Sequence, residues 1–433
     1  METMGLVRIV PETQGCLRIC DLPDDLLLQI LILVPGKDAV ATAILSKRWR
    51  YIWQMLPKLA FKDDRYSESF GWFIDKSMQL HKAPLLISLV VELGEHCPAD
   101  VDVRKWVEKA VNHSVRTLDF ALLWTGEPTS FPKSLYTCGT LVSLSLSNQI
   151  LVDVSFPASL PSLLYLDLLN VVYKDEDSLA RLLSSSPVLR ELDVQRRDEG
   201  DNLKNFTVKV PSLELLIYVR RGDQPEQEED QIGSLVIDCP ALTDFSIYDD
   251  LGYYCSLTEN MLCLDEVYIS YVPNPDGKFL RCLSSARCIR LYLSESMVAC
   301  CNAINFSRLI DLVFVSEYPV YWLEPLIFML QNSPKLKILT IDTKGSPTSS
   351  WNQPSTIPQC LSSHLEIVRW KNYEGRQDEK QLMSYILANS KCLKTVKIFG
   401  ILRGCKKVLE SMPRISASSR LLYSSTDKAD WTF

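Results

Sequence analysis

The chain has 433 residues, 47% hydrophobic and 23% charged, the usage of an ordinary globular protein, which argues against disorder over most of its length. Its 46 basic and 53 acidic side chains leave a formal net charge of -7, without the overall basic footprint of a nucleic-acid binder. The 14 cysteines are scattered without a C-x-x-C pair and only 4 histidines accompany them. No clustered zinc-ligand set forms, and the thiols fit small reduced hydrophobes of a cytosolic or nuclear protein.

Residues 1–15 read as a tail, with no apolar run of signal-peptide length. The first strongly patterned stretch is 16–56. Pro23 suits the first turn of a helix, where its missing N–H would have had no partner, and Asp24 and Asp25 fall at the positive end of that helix. Leu26 to Val34 is apolar nearly all round, far shorter than the ~20 residues of a membrane span, and Pro35-Gly36 ends it. Asp38 is placed to cap a second short helix running to Ile44. Ser46 is placed to cap a third, in which Trp49 and Trp53, four apart, share a face. A helix apolar on all sides must be covered on all sides, and a segment of roughly 40 residues buries too little surface to stand alone. It must pack on the rest of the chain, on another protein, or on both.

These residues resemble an F-box. The resemblance lies in the Leu22-Pro23-x-Asp25-Leu26 opening, the Val40-x-Thr42 centre and the Leu45-Ser46-Lys47-Arg48-Trp49-Arg50-x-x-Trp53 close. It implies three helices that bind the Skp-like adaptor of a Skp–cullin–F-box ubiquitin ligase, with the cullin and RING subunits reached indirectly. The apolar set expected to make that contact is Leu22, Pro23, Leu26, Leu27, Ile30, Leu31, Val34, Val40, Leu45, Trp49 and Trp53, some of which must turn to the chain's own core instead. Gly36 departs from the family, in which many members carry Thr or another side chain, and this bears on the first inter-helix turn.

Residues 57–84 are expected to be a linker or helical cap. From 85 to 350 a unit Leu-x-x-Leu-x-Leu recurs, with other apolar residues allowed; examples are Leu141/Leu144/Leu146, Leu163/Leu166/Leu168 and Leu336/Leu339/Ile341. Counting two further copies near the C-terminus there are thirteen, starting 21–29 residues apart, among them Cys288/Leu291/Leu293. That period belongs to leucine-rich repeats. The last two apolar positions of a unit share one strand face, and the first lies in the turn before it. Pro161, Pro187, Pro211, Pro240 and Pro334 each stand two residues ahead of a unit, where Pro fits a turn. Between units, 177–186, 324–333 and 379–390 read as amphipathic helices. A strand and helix cannot bury their apolar faces alone, so the units stack into a solenoid.

Residues 351–425 carry Trp351-x-x-Pro354-x-x-x-Pro358-x-Cys360-Leu361, then Trp370-x-x-Tyr373-x-Gly375-x-x-x-Glu379, then Tyr385-Ile386-Leu387-x-Asn389, and end with Met412-Pro413-Arg414 and Ser418–Leu422. This resembles the FBD motif that follows leucine-rich repeats in many plant F-box proteins. With two repeat units, Pro-rich turns and a late helical segment it is expected to close the last repeat. Residues 426–433 read as a tail. The fold class is therefore α/β: a three-helix F-box, then a leucine-rich-repeat solenoid with a strand and a helix per repeat, closed by an FBD region.

No nucleophile-elbow, metal-protease, phosphate-loop or dinucleotide motif occurs, no cofactor or metal is called for, and no membrane or nucleic-acid partner is expected. The acidic run Asp223–Asp230 reads as a flexible loop, with a docking loop for a basic partner as the alternative. What the resemblance implies is a non-catalytic substrate receptor of the ligase, its repeats holding an unidentified protein target for ubiquitination. The alternative is a repeat protein that binds a small molecule or peptide outside any ligase. Strand side chains that alternate with the core positions point the other way, to the concave face, and there the sequence places Tyr165, Asp193, Asp244, Tyr248, Glu266, Tyr268 and Tyr292 as candidate target contacts.

Overall fold

The computed structural model describes residues 19–63, 69–96, 101–124, 126–197, 201–222, 233–250, 254–258, 261–272, 274–300, 304–316, 322–343, 353–400 and 404–424. The two tails, Trp351 and the acidic run Asp223–Asp230 lie outside these residues.

One 15-stranded sheet runs the length of the chain, with every neighbour parallel and in chain order. Its strands are β1 (Lys58–Lys62), β2 (Ser88–Leu93), β3 (Thr117–Leu122), β4 (Ser143–Asn148), β5 (Tyr165–Leu169), β6 (Glu191–Arg196), β7 (Leu215–Arg220) and β8 (Asp244–Asp249). It continues through β9 (Glu266–Tyr271), β10 (Cys288–Tyr292), β11 (Asp311–Ser316), β12 (Ile338–Thr343), β13 (Ile367–Lys371), β14 (Thr395–Phe399) and β15 (Arg420–Ser424). Parallel sheets are ordinarily covered on both faces and read as continuous apolar runs. Here most strands alternate, with Leu144 and Leu146 of β4 fully buried and Ser143 and Ser145 half-exposed. The alternation leaves one face of the sheet open.

The sheet is longer than the thirteen units. Leu56/Leu59/Phe61 obeys the same spacing and forms β1, inside the stretch expected to be linker or helical cap. That stretch also holds the helix Phe70–Leu80. At the other end, Arg420–Ser424 is a strand paired with β14, so the late segment comprises the helix Cys405–Ser411 and a fifteenth strand. One unit shifts register. Val267 and Ile269 of β9 face Ile289 and Leu291, so the core pair of β10 is Ile289/Leu291, and Leu293 lies beyond the strand. Both pairs have the same parity in Ala286-x-x-Ile289-x-Leu291-x-Leu293, which is why spacing alone chose wrongly.

The turn before each unit explains its proline. Leu163, Leu189, Leu213, Leu242 and Leu336 each donate their N–H to the carbonyl three residues back, at 3.2 Å in every case. Pro161, Pro187, Pro211, Pro240 and Pro334 thus hold the second position of a β-turn, where a fixed φ is favoured and no N–H is needed. Each turn aims its leucine inward, and all five leucines are fully buried.

The outer layer is not one helix per repeat. Helices cover the sheet near its ends, including Val103–Asn112, Glu176–Ser184, Leu323–Gln331 and Gln377–Asn389. In the middle the cover is a 4-stranded parallel sheet, Asn205–Lys209, Ser234–Asp238, Tyr254–Leu257 and Asn274–Pro275. Those segments alternate in burial with period two, as in Phe206/Val208 and Leu235/Ile237, which suits a strand and not a helix. Between the two sheets lies a buried ion pair, Arg196 Nε to Asp201 at 2.6 Å. The same guanidinium donates to the Leu203 carbonyl at 2.6 Å and to the Tyr218 hydroxyl at 3.2 Å.

Candidate functional site

Two surfaces carry the candidate residues. The first is the helical segment ahead of β1. Its helices are α1 (Asp24–Ile32), α2 (Gly36–Ala41) with a 3-10 turn at Thr42–Ile44, and α3 (Lys47–Gln54). Ser46 caps α3 as expected, accepting from the Trp49 N–H at 3.3 Å. The second helix starts earlier than Asp38 would set it: Pro35 is its N-cap, and Asp38 lies within its first turn. Arg48 ties α3 back to the start of the segment, pairing with Asp24 at 2.6 Å and donating to the carbonyls of Cys20 and Leu22.

The segment is seated directly on the sheet. A Cβ at Gly36 would stand 2.3 Å from the Ala60 carbonyl oxygen of β1, so only glycine permits this approach. The departure at Gly36 is therefore a packing requirement of this chain, and the first inter-helix turn forms. At the C-terminal end of α3, the Gln54 carbonyl accepts from the N–H groups of Lys82 and Ala83, and the buried His81 ring lies 2.8 Å from the Leu56 carbonyl.

The expected adaptor-facing set divides. Leu27, Leu31, Trp49 and Trp53 are at most 4% exposed and belong to the chain's own core, which removes them from any surface contact. Leu22, Ile30 and Val40 are half-buried against that core. Pro23, Leu26, Val34 and Leu45 are exposed. Leu33 and Ile44, exposed at 84% and 90%, and Tyr51 join them without having been expected. Leu26, Ile30 and Leu33 lie at i, i+4 and i+7, one stripe of α1, so helical periodicity could have found Leu33. Ile44 sits in a short turn where no such period exists.

The second surface is the open face of the sheet. Register places all seven expected contacts on it, in three rows. Tyr165, Glu191, Leu215, Asp244 and Glu266 are successive partners in one row. In the next, Asp119, Ser145, Asp167, Asp193, Ile217, Ser246, Tyr268 and Arg290 follow one another across eight strands. Tyr248 and Tyr292 stand in the third. A bulge between Ile247 and Tyr248 sets Tyr271 opposite Tyr248, ring centres 6.3 Å apart, and period-two counting missed Tyr271 for that reason. Tyr268 and Tyr292 meet edge to face at 5.8 Å. The chain's own cations already lie on two of these rings, Arg290 over Tyr268 at 5.3 Å and Arg221 over Tyr248 at 5.5 Å.

Charge on this face is uneven. Asp193 is pushed up to about 6, first by burial and then by the Asp167 carboxylate beside it. Asp167 and Asp119 are also raised, chiefly by burial, Asp167 further by Asp119 and Glu191; Lys62 partly offsets the effect at Asp119. Asp311 of β11 is raised by burial too, but Arg369 and Arg290 pull against it. The acids near the N-terminal end of the sheet thus push on one another, whereas those near the middle have basic neighbours.

The FBD-like residues form no such surface. Trp370 and Tyr373 are fully buried and meet edge to face at 5.3 Å. The buried Glu379 carboxylate accepts from the N–H groups of Glu374, Gly375 and Arg376 at 3.0, 2.6 and 3.0 Å, closing the N-terminus of the helix Gln377–Asn389. Gly375 has φ +74°, and a Cβ there would meet the Cys405 sulfur. The motif is the packing chemistry of the final repeats. Among the described residues no group of three or more His, Cys, Asp or Glu is placed to hold a metal ion, and no helix is long and apolar enough to cross a membrane.

Comparison with known proteins agrees with this layout. Family models match the chain in order: an F-box domain at residues 19–61, the LRR repeats of an FBD-associated F-box protein at 103–256, and FBD at 353–398. A relative from Arabidopsis thaliana, named as an F-box/FBD/LRR-repeat protein, is 62% identical over 441 residues, covering 96% of this chain and 94% of the relative. Another F-box/FBD/LRR-repeat protein from Arabidopsis thaliana is 37% identical and covers 94% of this chain and 99% of its own length. With three family models matched in order along the chain and relatives matched nearly end to end, the chain belongs to the plant F-box/FBD/LRR-repeat family.

Proposed function

We propose that this chain is a substrate receptor of a Skp–cullin–F-box ubiquitin ligase, with no reacting residue of its own. The helical segment binds a Skp-like adaptor, and the open face of the sheet holds the target. The observation that carries the first half is the division of the F-box apolar set. Its inner members are used up by the chain's own core, yet Leu26, Leu33, Ile44, Leu45 and Tyr51 remain exposed. Large apolar side chains concentrated in so short a segment mark a protein interface. Ubiquitin transfer then rests on proximity: holding the target beside a loaded conjugating enzyme raises effective concentration, and the receptor need supply only geometry.

The test is capture by a purified Skp-like adaptor of the full chain and of a Leu26→Ser/Leu33→Ser/Ile44→Ser variant. These side chains are exposed, so the variant should melt like the parent while losing adaptor affinity by at least tenfold, since each ~1.4 kcal/mol of lost contact is a factor of ten. Equal capture of parent and variant would move the adaptor contact elsewhere. Failure of the parent to bind any Skp-like adaptor would favour the repeat protein working outside a ligase. Proximity labelling with the ligase stalled would then name the target.

A further inference from the structure

The open face has a polarity along the sheet. Four successive strands near the N-terminal end, β3 to β6, carry Asp119, Asp167, Glu191 and Asp193 at open-face positions and no base. Three successive strands at the other end, β13 to β15, carry Arg369, Lys371, Lys397 and Arg420 at the same positions and no acid. Between them β7 presents only aliphatic side chains, Leu215, Ile217 and Val219, all half-buried, and the tyrosine group follows. The tyrosine region is mixed in charge, with Asp244, Glu266, Arg290, Asp311 and Asp342 on the same face, and Lys58 and Lys62 stand on β1 beyond the acidic block. From β3 onward the surface runs from an all-acid block through aliphatic β7 and a mixed aromatic region to an all-base end.

Several features mark this as a binding surface and not a solvated face. Open-face positions of a solvated sheet would mix signs on neighbouring strands, because like charges side by side are destabilising. Here Asp167 and Asp193 are direct cross-strand partners, and no base stands among the open-face positions of the strands around them. The aliphatic side chains of β7 sit beside this acidic block only half-buried by the described residues. A partner with a cationic stretch would relieve the carboxylates and an apolar stretch would cover β7. The basic end would repel a uniformly basic partner, so the occupant must change sign along its length.

The spacing gives its length. Seven strand-to-strand steps separate Asp193 from Arg369, about 34 Å at ~4.8 Å per step. An extended chain covers that distance in about ten residues at ~3.4 Å each. Resting on the open face being the target-binding surface, we propose that it takes an extended segment of the target in one orientation, a basic stretch over Asp119, Asp167 and Asp193, an apolar and aromatic stretch over β7 to β10, and an acidic stretch over Arg369 and Lys397. The sign of the charges steers the encounter and sets the direction, and the central contacts hold the segment.

The test uses purified full-length chain and synthetic fluorescent peptides, read by anisotropy. One peptide has four Lys/Arg, a ten-residue Leu/Tyr/Ser spacer and four Asp/Glu; the others have a two-residue spacer, two basic blocks, or two acidic blocks. The ten-residue dipolar peptide should bind at least tenfold tighter than each of the others and weaken with salt. Asp167→Lys with Asp193→Lys, or Arg369→Glu with Lys397→Glu, should each lose at least tenfold for that peptide. All four changes together should restore it, because the reversed face accepts the peptide turned end for end. Equal binding of the two-basic-block peptide, or no dependence on spacer length, overturns the proposal, and both comparisons need only the parent protein. Failure of the four-site variant to recover, with a parent-like melt, overturns it as well. Adaptor capture does not involve this face, so failure there and failure here are separate results. If no peptide discriminates but the end-reversed variants still lose the identified target, the polarity falls and the open-face assignment stands.

Discussion

The two ends of the sheet face the same physical problem and meet it differently. Each leaves a row of unpaired backbone and a bare apolar layer unless something closes it. At the C-terminal end closure is nearly all that happens. Trp370, Tyr373 and Glu379 are buried, and the large apolar side chains left outside, Ile357, Val408, Ile415 and Leu422, are 39–55% exposed. At the N-terminal end Leu27, Leu31, Trp49 and Trp53 close the sheet just as well, but Leu33 and Ile44 stand 84% and 90% exposed. Capping accounts for nearly all of the apolar side chains of one end and about half of those of the other. The remainder is what a partner must account for.

The largest effect expected of breaking this comparison is at the C-terminal end. Ending the chain after residue 350 removes β13 to β15 and bares the edge of β12 together with Leu339 and Ile341 beneath it. The shortened chain should associate and lose its cooperative melt. A monomeric 1–350 fragment by light scattering, with a parent-like thermal transition, would show that the FBD-like region is not needed for closure.

Next come paired substitutions within the F-box. Leu27→Ala, at a fully buried site, should cost ~2–5 kcal/mol of stability. Ile44→Ala, at a site 90% exposed, should stay within ~0.5 kcal/mol and weaken adaptor capture instead. Urea melts of both variants beside the same capture assay decide it. A stability loss at Ile44 as large as at Leu27 would erase the distinction between the two faces.

The sequence made much of this legible, for a physical reason. A repeat states its core positions many times over, so thirteen strands and the prolines of their turns could be read from spacing. The first strand is masked in the sequence: Leu56/Leu59/Phe61 fits the spacing but follows directly on the F-box-like pattern. What spacing could not reach was anything that breaks parity or depends on the neighbour. The bulge that brings Tyr271 onto the open face, the outer strands that replace helices in the middle, and the side of α1 that meets β1 are all settled by packing. The adaptor-facing residues were legible only as an undivided apolar set. Separating Leu27 from Leu26 required knowing where the sheet lies.

Two glycines sharpen the contrast between the ends. At Gly36 the obstacle is backbone, the Ala60 carbonyl 2.3 Å from a built Cβ, and nothing there can turn aside. At Gly375 it is the positive φ of 74° together with the Cys405 sulfur at 2.4 Å, which ends a side chain. Gly36→Ala should cost ~1–3 kcal/mol as overpacking, and Gly375→Ala ~1–2 kcal/mol from the left-handed conformation. Adding Cys405→Ala should recover part of the second loss and none of the first. Thermal melts of the three variants would expose an error in either assignment.

The smallest effect lies between the ends, on the open face. Asp193 has a carboxyl pushed up to about 6, against an ordinary value of 3.8 that the unfolded chain would show. Between those values the folded protein binds more protons than the unfolded one, so this residue's contribution to stability falls as pH rises from about 4 to 6. Above that window the ionised carboxylate, pressed by Asp167, opposes folding. Asp193→Asn removes the charge and keeps the shape. It should raise stability at pH 7.5 by ~1–2 kcal/mol once solvent screening is allowed for, and at pH 4.5 by only about a third of that. The same change should weaken the dipolar peptide at pH 7.5, so stability and binding move in opposite directions at one residue. Urea melts at the two pH values test the first half. A gain of the same size at both would mean that the carboxylate is not under strain, and the acidic end of the face would then be an ordinary solvated surface.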